Sequence, residues 1–303
     1  MPAVSEKRPT LEDVSKALDG LNNAIIDHTK WVASWSRSAI CDTPIPDEYR
    51  SDHSNHDCKF GQWYYSAHHD FLKENLGFIG LERAHDAMHN SVRQIVSKIS
   101  TGKTLSSREY DRFLGHEVNF ATTLAKLRDD LLGLSHSYDY LTGTLNRQAF
   151  FQLLSQEHAR IKRTAEFCCL MMVDIDYFKK VNDQHGHKAG DIVLRHIADF
   201  LNSNLRPYDL TCRYGGEEFL VCLPNTTVSI ARTAIERLRE KISHTKIQIA
   251  DDIEINITAS FGITTLSADE DWSMSIEHAD QAMYQAKARG RNRVVVWQEE
   301  LEE

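Results

Sequence analysis

The sequence predicts an α+β protein in two parts: an N-terminal bundle of three or four helices, joined by a helical stalk to a C-terminal domain with one central sheet. Three observations predict it. The first half, to about Ser137, places apolar residues at alternating spacings of three and four and holds no convincing strand. From Asp139 onward, β-rich runs alternate with helical patterns. The last helical seam of the first half runs unbroken into the second, which argues for a stalk and against a flexible linker.

The elements follow in order. After Thr10 as N-cap, Leu11, Val14, Leu18, Leu21, Ile25, His28, Val32 and Trp35 form one helical stripe. A loop rich in Asp, Pro and Ser spans about Cys41 to Asp57, and Gln62 to Asn75 supplies a further helix. A second seam reads Leu81, His85, Met88, Val92, Ile95, Ile99. A third, after Ser106-Ser107, reads Tyr110, Phe113, Glu117, Phe120, Leu124, Leu127, Leu131, Leu134, Tyr138, Leu141. So long a 3.5-residue period implies a packing partner, most simply the same helix in a parallel dimer. In the second half the strands are FCCLMMVDID, LTCRY, EEFLVCL, INITASFGIT and RVVVW. The helices are Arg147 to Thr164, Ala189 to Asn204, Ser229 to Ser243 and Ile276 to Ala288.

Composition limits the function classes. The 303 residues are 41% apolar and 26% charged, as in a folded soluble protein. A formal charge of −9 argues against nucleic-acid and anionic-membrane binding. There is no apolar run of the ~18–20 residues a membrane helix needs, and MPAVSEKRPT has no signal-peptide core. Six irregularly spaced cysteines do not form a disulfide framework, so a cytoplasmic location is expected. Cys168, Cys169, Cys212 and Cys222 sit in apolar strands as inert core. Nine of the 15 histidines precede Ser137, so the halves are expected to do different chemistry.

Two motifs fail on inspection. TGKT at 101–104 lacks the glycine of a phosphate-binding loop, because Ser97 stands in its place; HEVNF at 116–120 has no histidine four residues after His116. RYGGEEFLV and MMVDIDYFKKVNDQHGHKAGD survive. Gly215-Gly216 reads as a two-residue hairpin turn, in which glycine reaches positive φ at little cost. That leaves the glutamates unexplained, since carboxylates at the mouth of a buried strand are costly without a cation. Asp174, at the C-terminal end of an apolar strand, and Glu217 offer the hard oxygen donors that Mg²⁺ prefers. Glu218, one residue on, is expected to point to the opposite face.

DYLTGTLNR (139–147), VDIDYFKKVND (173–183), GHKAGD (186–191), RYGGEEF (213–219) and GRNRV (290–294) together resemble the GGDEF domain of diguanylate cyclases. The resemblance implies a nucleotide-cyclase-like α/β sandwich that joins two GTP into cyclic di-GMP and releases two pyrophosphates. It implies that Asp174, the carbonyl of Ile175 and Glu217 hold Mg²⁺ or Mn²⁺. It assigns the guanine to Asn182 and Asp191, with His187 lining that pocket. Lys287 and Arg291, one helical turn apart, would meet the terminal phosphates with backbone N–H groups near Phe178 and Lys179. Gly215 and Gly216 would let the nucleotide lie against bare backbone. Glu217 would double as the catalytic base for the 3′-hydroxyl. Because one domain holds one GTP, two copies must face each other, and a homodimer through the helical half and stalk is expected.

RPYD at 206–209 resembles the family's RxxD product site, with Arg237 as its second arginine, so cyclic di-GMP is expected as feedback inhibitor. Pro207 alone would suggest only a surface turn. In the helical half, His85 and His89 lie four apart on one face and His28 on a seam, a spacing suited to one metal. A single buried neutral histidine is ordinarily a satisfied core residue; two on seams with a third one turn away are not. Cys58 completes a Cys-His₃ set suited to tetrahedral Zn²⁺. DHTKW, CKFGQWY and AHDAMH resemble the chemoreceptor zinc-binding domain, a four-helix bundle with those ligands. His53, His56, His68 and His69 are decoys by this reading. The resulting division is a zinc-binding domain at 10–133 and a cyclase domain at 134–298, with zinc regulatory and inhibitory. Oxidation of the Cys58 thiolate is a second input the same site allows. The alternative is a silent module that receives GTP or cyclic di-GMP above a structural zinc bundle.

Overall fold

The computed structural model describes residues 8–41, 43–66, 70–73 and 75–298. The chain divides into two compact units, Leu11–His136 and a second formed by Ser137 onward with the segment ending at Thr10.

In the helical unit α1 (Leu11–Ile40) is followed by two short helices, α2 (Ser54–Asp57) and α3 (Lys59–Tyr64), and then by α4 (Leu76–Ser100) and α5 (Ser107–Ser135). Every seam position read from the α1 sequence faces inward or is half-buried, with Val14, Leu21, His28 and Trp35 fully enclosed. α4 packs along α5, and α1 against α3 and α5. Phe120 of α5 is completely buried among these helices; truncating such a side chain to alanine costs roughly 3–5 kcal/mol. The helix expected over Gln62 to Asn75 is displaced: α3 starts earlier and stops at Tyr64. Gly61 explains its tight start, since a Cβ there would lie 1.9 Å from the Asn55 carbonyl oxygen. His68 and His69 lie outside the described residues.

The stalk helix α5 ends at Ser135, two seam residues short of the expected Leu141. The Asp139 side chain accepts hydrogen bonds from Thr142 N (2.9 Å) and Thr142 Oγ1 (2.6 Å), and Gly143 turns through φ +65°. Leu141 therefore packs on the core of the second unit instead of continuing the heptads.

The second unit contains α6 (Arg147–Thr164), β1 (Cys168–Ile175), α7 (Phe178–His185), α8 (His187–Asn204), β2 (Leu210–Arg213) and β3 (Glu218–Pro224). It continues with α9 (Val228–His244), β4 (Lys246–Ala250), β5 (Ile253–Asn256), β6 (Ala259–Thr265), α10 (Trp272–Ala288) and β7 (Val294–Val296). The central sheet has the order β2-β3-β1-β6-β7, antiparallel except for β6 with β7; β4 and β5 form a separate ribbon. β1 is buried on both faces, and its alternation sorts the core. Cys169, Met171 and Val173 pack with α8 and α9; Cys168, Leu170 and Met172 pack with α6 and α10. The sheet is thus sandwiched between helix pairs, and the end of its central strand opens at Asp174. The four strand cysteines are buried free thiols, inert as the sequence suggests.

Candidate catalytic and metal sites

Two adjacent strands build the acidic site. Asp174 of β1 stands directly opposite Glu218 of β3, and Ile175 N donates to Glu217 O at 3.3 Å. Asp174 is 3% exposed. Glu217 falls in the bend before β3, so strand alternation begins only at Glu218. Glu218 shares the face of Asp174 across the strand pair, and Glu217, lying outside the strand, is not bound to the strand alternation expected from the sequence. Burial first, and the Asp174 charge second, push the carboxyls of Glu217 and Glu218 up. Burial also raises Asp174, against the pull of Lys287, whose Nζ lies 2.6 Å from Asp174 Oδ2. Crowded oxygen donors that already draw in an ammonium fit a hard divalent cation.

The glycine pair works differently from the expectation. Neither Gly215 nor Gly216 has positive φ. The β2–β3 turn is wider than two residues, closed by Tyr214 N and Gly215 N donating to Glu218 O. Arg213, unassigned from sequence, braces this turn: its guanidinium donates to Gly216 O at 2.8 Å and lies 3.7 Å from Asp139 Oδ2.

Lys287 sits in the last turn of α10, whereas Arg291 lies beyond its end, so they are not successive positions on one helix. The chain reverses through Gly290 (φ +109°), Arg291 (+64°) and Asn292 (+44°). Two residues missed in the sequence hold this reversal. Asp176, 4% exposed, accepts from Thr258 Oγ1 (2.7 Å), Ser260 Oγ (2.7 Å) and Asn292 N (3.0 Å). Tyr177, at φ +57°, carries the Arg291 guanidinium 4.6 Å from its ring centre and Lys180 Nζ at 4.5 Å. The spacing DID hints at Asp176; its partners, far away in sequence, could not be read.

Phe178 is buried and Lys179 exposed at the start of α7, whose first amides have no intrahelical acceptor. Asn182 ends up beside α8: a Cβ on Gly190 would lie 2.0 Å from Asn182 Oδ1. This glycine thus brings Asn182 against the turn carrying Asp191, both half-buried, with His187 exposed nearby on α8. At RPYD, Asp209 Oδ2 accepts from Arg206 N at 2.8 Å, while Oδ1 is buried without a partner and burial pushes the carboxyl up to about 6. Both residues line a cavity of ≈ 140 Å³ that Arg8 and Tyr138 also border. Arg237 lies exposed on α9.

In the helical unit His28 of α1, Cys58 at the N-cap of α3, and His85 and His89 of α4 converge. One ligand atom from each lies within 4.8 Å of all the others, and all four residues are buried. Cys58 Sγ is 3.4 Å from His85 Nε2. Ligands around tetrahedral zinc stand about 3.3–3.8 Å apart, given bonds of ~2.0–2.3 Å. Both ring nitrogens of His28 and Nε2 of His89 are buried without hydrogen-bond partners, as donors waiting for a metal would be. Burial first, then the neighbouring His89 and His28, lowers His85 to about 2, and burial followed by His28 and Arg93 lowers His89 to about 3, so both are neutral and competent to ligate. Burial pushes the Cys58 thiol up while the Gly61 amide opposes it. His56 instead stacks on Tyr65. The donor set fits zinc.

No helix among the described residues is long and apolar enough to cross a membrane. Residues 136–293 match the family described as "Diguanylate cyclase, GGDEF domain", and residues 28–96 match the "Chemoreceptor zinc-binding domain". Diguanylate cyclase DgcZ of Escherichia coli (strain K12) is 32% identical over 288 residues, covering 93% of this chain and 94% of its own. Diguanylate cyclase DgcP of Pseudomonas aeruginosa is 44% identical over 158 residues, or 52% of this chain and 23% of that protein. Among solved structures, the coiled coil and GGDEF domain of DgcB from Caulobacter crescentus in complex with c-di-GMP aligns at TM-score 0.55 and 30% identity, covering 60% and 97% of the two chains. Diguanylate cyclase SiaD from Pseudomonas aeruginosa, solved with its activator SiaC, aligns at TM-score 0.52 and 30% identity over 82% and 95%. The chain belongs to the GGDEF family of diguanylate cyclases and carries a chemoreceptor-type zinc-binding region before its cyclase domain.

Proposed function

We propose that this chain condenses two GTP into cyclic di-GMP across a homodimer, and that zinc in the helical unit restrains the reaction. The observation that carries the catalytic reading is the crowding of Asp174, Glu217 and Glu218 at the end of the central strand, where Lys287 Nζ lies 2.6 Å from Asp174 Oδ2. Asp174, the carbonyl of Ile175 and Glu217 would hold Mg²⁺ or Mn²⁺. The bound ion supplies charge neutralisation for the triphosphate and acidifies the attacking hydroxyl.

Every other task falls to the protein. Lys287 and Arg291, with the first amides of α7, bind the terminal phosphates. Asn182 and Asp191 read the guanine edge, and His187 borders it. The bare backbone of Gly216 leaves room for the nucleotide, whereas the space beside Gly215, expected from the sequence to be open, is taken by the Glu218 carboxylate, whose Oε2 would lie 2.5 Å from a Cβ there. Glu217 takes the proton from the 3′-hydroxyl; that oxygen bonds to the α-phosphorus of the GTP on the facing copy, and the bond to pyrophosphate breaks. The reciprocal step closes the ring. Each copy brings half of the reacting pair, so orientation supplies much of the catalysis. Arg206, Asp209 and Arg237 form the product-inhibition site. A closed Cys-His₃ zinc site ties α1, α3 and α4 together and stiffens the helices ahead of the cyclase unit. The domain boundary near residue 134 and a cytoplasmic location belong to the same proposal; the compact-unit break after His136 supports the first.

Incubating the purified chain with GTP and Mg²⁺ tests the reading. Cyclic di-GMP should accumulate, and Asp174→Asn should abolish it while retaining the fold. Equal turnover by the variant would overturn the assignment.

A further inference from the structure

The zinc ligands differ in how their outward ring atoms are held. Histidines that bind metal ordinarily donate the second ring N–H to a carboxylate, carbonyl or hydroxyl, which fixes the tautomer and the ring plane. His89 has such a partner: Nδ1 lies 3.1 Å from Ser54 Oγ, which Arg93 in turn contacts at 3.0 Å. His28 has none, and both of its nitrogens are buried and unpartnered.

The carboxylate nearest to filling that role is Glu117 of α5. Its Oε2 is also buried without a partner and lies 3.9 Å from His28 Nε2. Both residues border a cleft of ≈ 180 Å³ lined in part by Phe120 and Leu124, and although the Glu117 side chain is partly exposed there, its Oε2 is turned inward and buried. Two buried polar groups facing each other just beyond hydrogen-bond range carry a desolvation cost that closing the gap would relieve. Closure to about 2.9 Å requires about 1 Å of movement.

The position of Glu117 gives that movement a consequence. The four candidate ligands come from α1, the start of α3, and α4; none comes from α5. Yet α5 is the helix whose chain continues into the cyclase unit at Ser137. Glu117 is not among the four mutually close donors. We propose that Glu117 is the outer partner of His28: with zinc on one ring nitrogen, the other N–H donates to the Glu117 carboxylate, and zinc occupancy thereby grips α5. This inference rests on the zinc reading of the Cys-His₃ cluster. It makes Glu117 a positioning residue and not a ligand.

The test uses the full chain and its Glu117→Ala, Glu117→Gln and Glu117→Asp variants. Zinc affinity is measured by competition with a chromophoric chelator, and ligand geometry from the visible spectrum of the Co²⁺-substituted protein. Expected are a ~10–100-fold loss of zinc affinity in Glu117→Ala, a smaller loss in the isosteric Glu117→Gln, and recovery in Glu117→Asp. The tetrahedral Co²⁺ bands and the thiolate charge-transfer band should persist in all. The ratio of metal-free to zinc-saturated turnover should fall toward one in Glu117→Ala. Zinc affinity within twofold of wild type in both Glu117→Ala and Glu117→Gln would overturn the inference, and so would loss of the tetrahedral Co²⁺ spectrum in Glu117→Gln, which would make Glu117 a ligand. A wild-type chain that binds no zinc would instead overturn the zinc reading, and this inference with it.

Discussion

Lys287 Nζ lies 2.6 Å from Asp174 Oδ2, so the last turn of α10 supplies a cation to the open end of the central strand. Lys287 is thereby shared between a carboxylate and, in the proposed mechanism, the phosphates of GTP. Lys287→Ala should raise KM for GTP by about tenfold or more, consistent with loss of one charge-assisted contact of roughly 1.5–3 kcal/mol. Steady-state kinetics decides; an unchanged KM would remove the lysine from substrate binding.

Gly190 tests the guanine pocket without touching a charge. An alanine methyl would meet Asn182 Oδ1 at 2.0 Å, closer than atoms tolerate. Gly190→Ala should displace Asn182 and weaken GTP binding, with KM rising more than kcat falls. If the variant keeps the wild-type KM and melting temperature, Asn182 does not read the base.

Arg206 tests the product site. Asp209 already accepts from the Arg206 amide and keeps a buried, unpartnered Oδ1. Arg206→Ala should raise the cyclic di-GMP concentration needed for half-inhibition by at least about tenfold, or ~1.4 kcal/mol. Inhibition curves that superimpose with those of wild type would rule out RxxD as the feedback site.

The metal-free helical unit should be acid-sensitive. His85 and His89 are lowered to about 2 and about 3 from an ordinary value of 6.5, with burial as the main cause. Below pH 6.5 the unfolded chain takes up protons that the folded chain refuses, so stability falls with falling pH. The loss runs from about pH 6.5 toward pH 3, at up to ~1.4 kcal/mol per pH unit for each histidine. Urea unfolding of the metal-stripped chain should show a lower midpoint at pH 5.5 than at pH 7.5. Equal midpoints would contradict the buried, neutral histidines.

Legibility in the sequence followed the range of the forces involved. Long amphipathic helices and the apolar strand Cys168–Ile175 announce themselves through periodic burial, and His85 and His89 through their spacing, while Cys58 joins the set through the motif resemblance. The helix Phe178–His185 was missed because FKKVNDQH has no apolar stripe, and Lys246–Ala250 because it is short and half-exposed. The seam overran Ser135 because Tyr138 and Leu141 keep the heptad spacing while Asp139 and Gly143 turn the chain. Tyr177 and Arg213 were silent, and Asp176 showed only in the spacing DID, because their partners (Arg291, Gly216 and Ser260) are reached through tertiary contacts or backbone turns. Glu117 was visible only as a polar interruption of an apolar seam, since its neighbour His28 belongs to another helix.

The most direct measurement is cyclic di-GMP formation from GTP and Mg²⁺ by the full chain, with and without a zinc chelator, beside Glu217→Gln. The account predicts product from wild type, more of it after chelation, and a loss of roughly 10²–10⁴-fold in the variant. No cyclic di-GMP from wild type in either condition, or an undiminished Glu217→Gln, would contradict it.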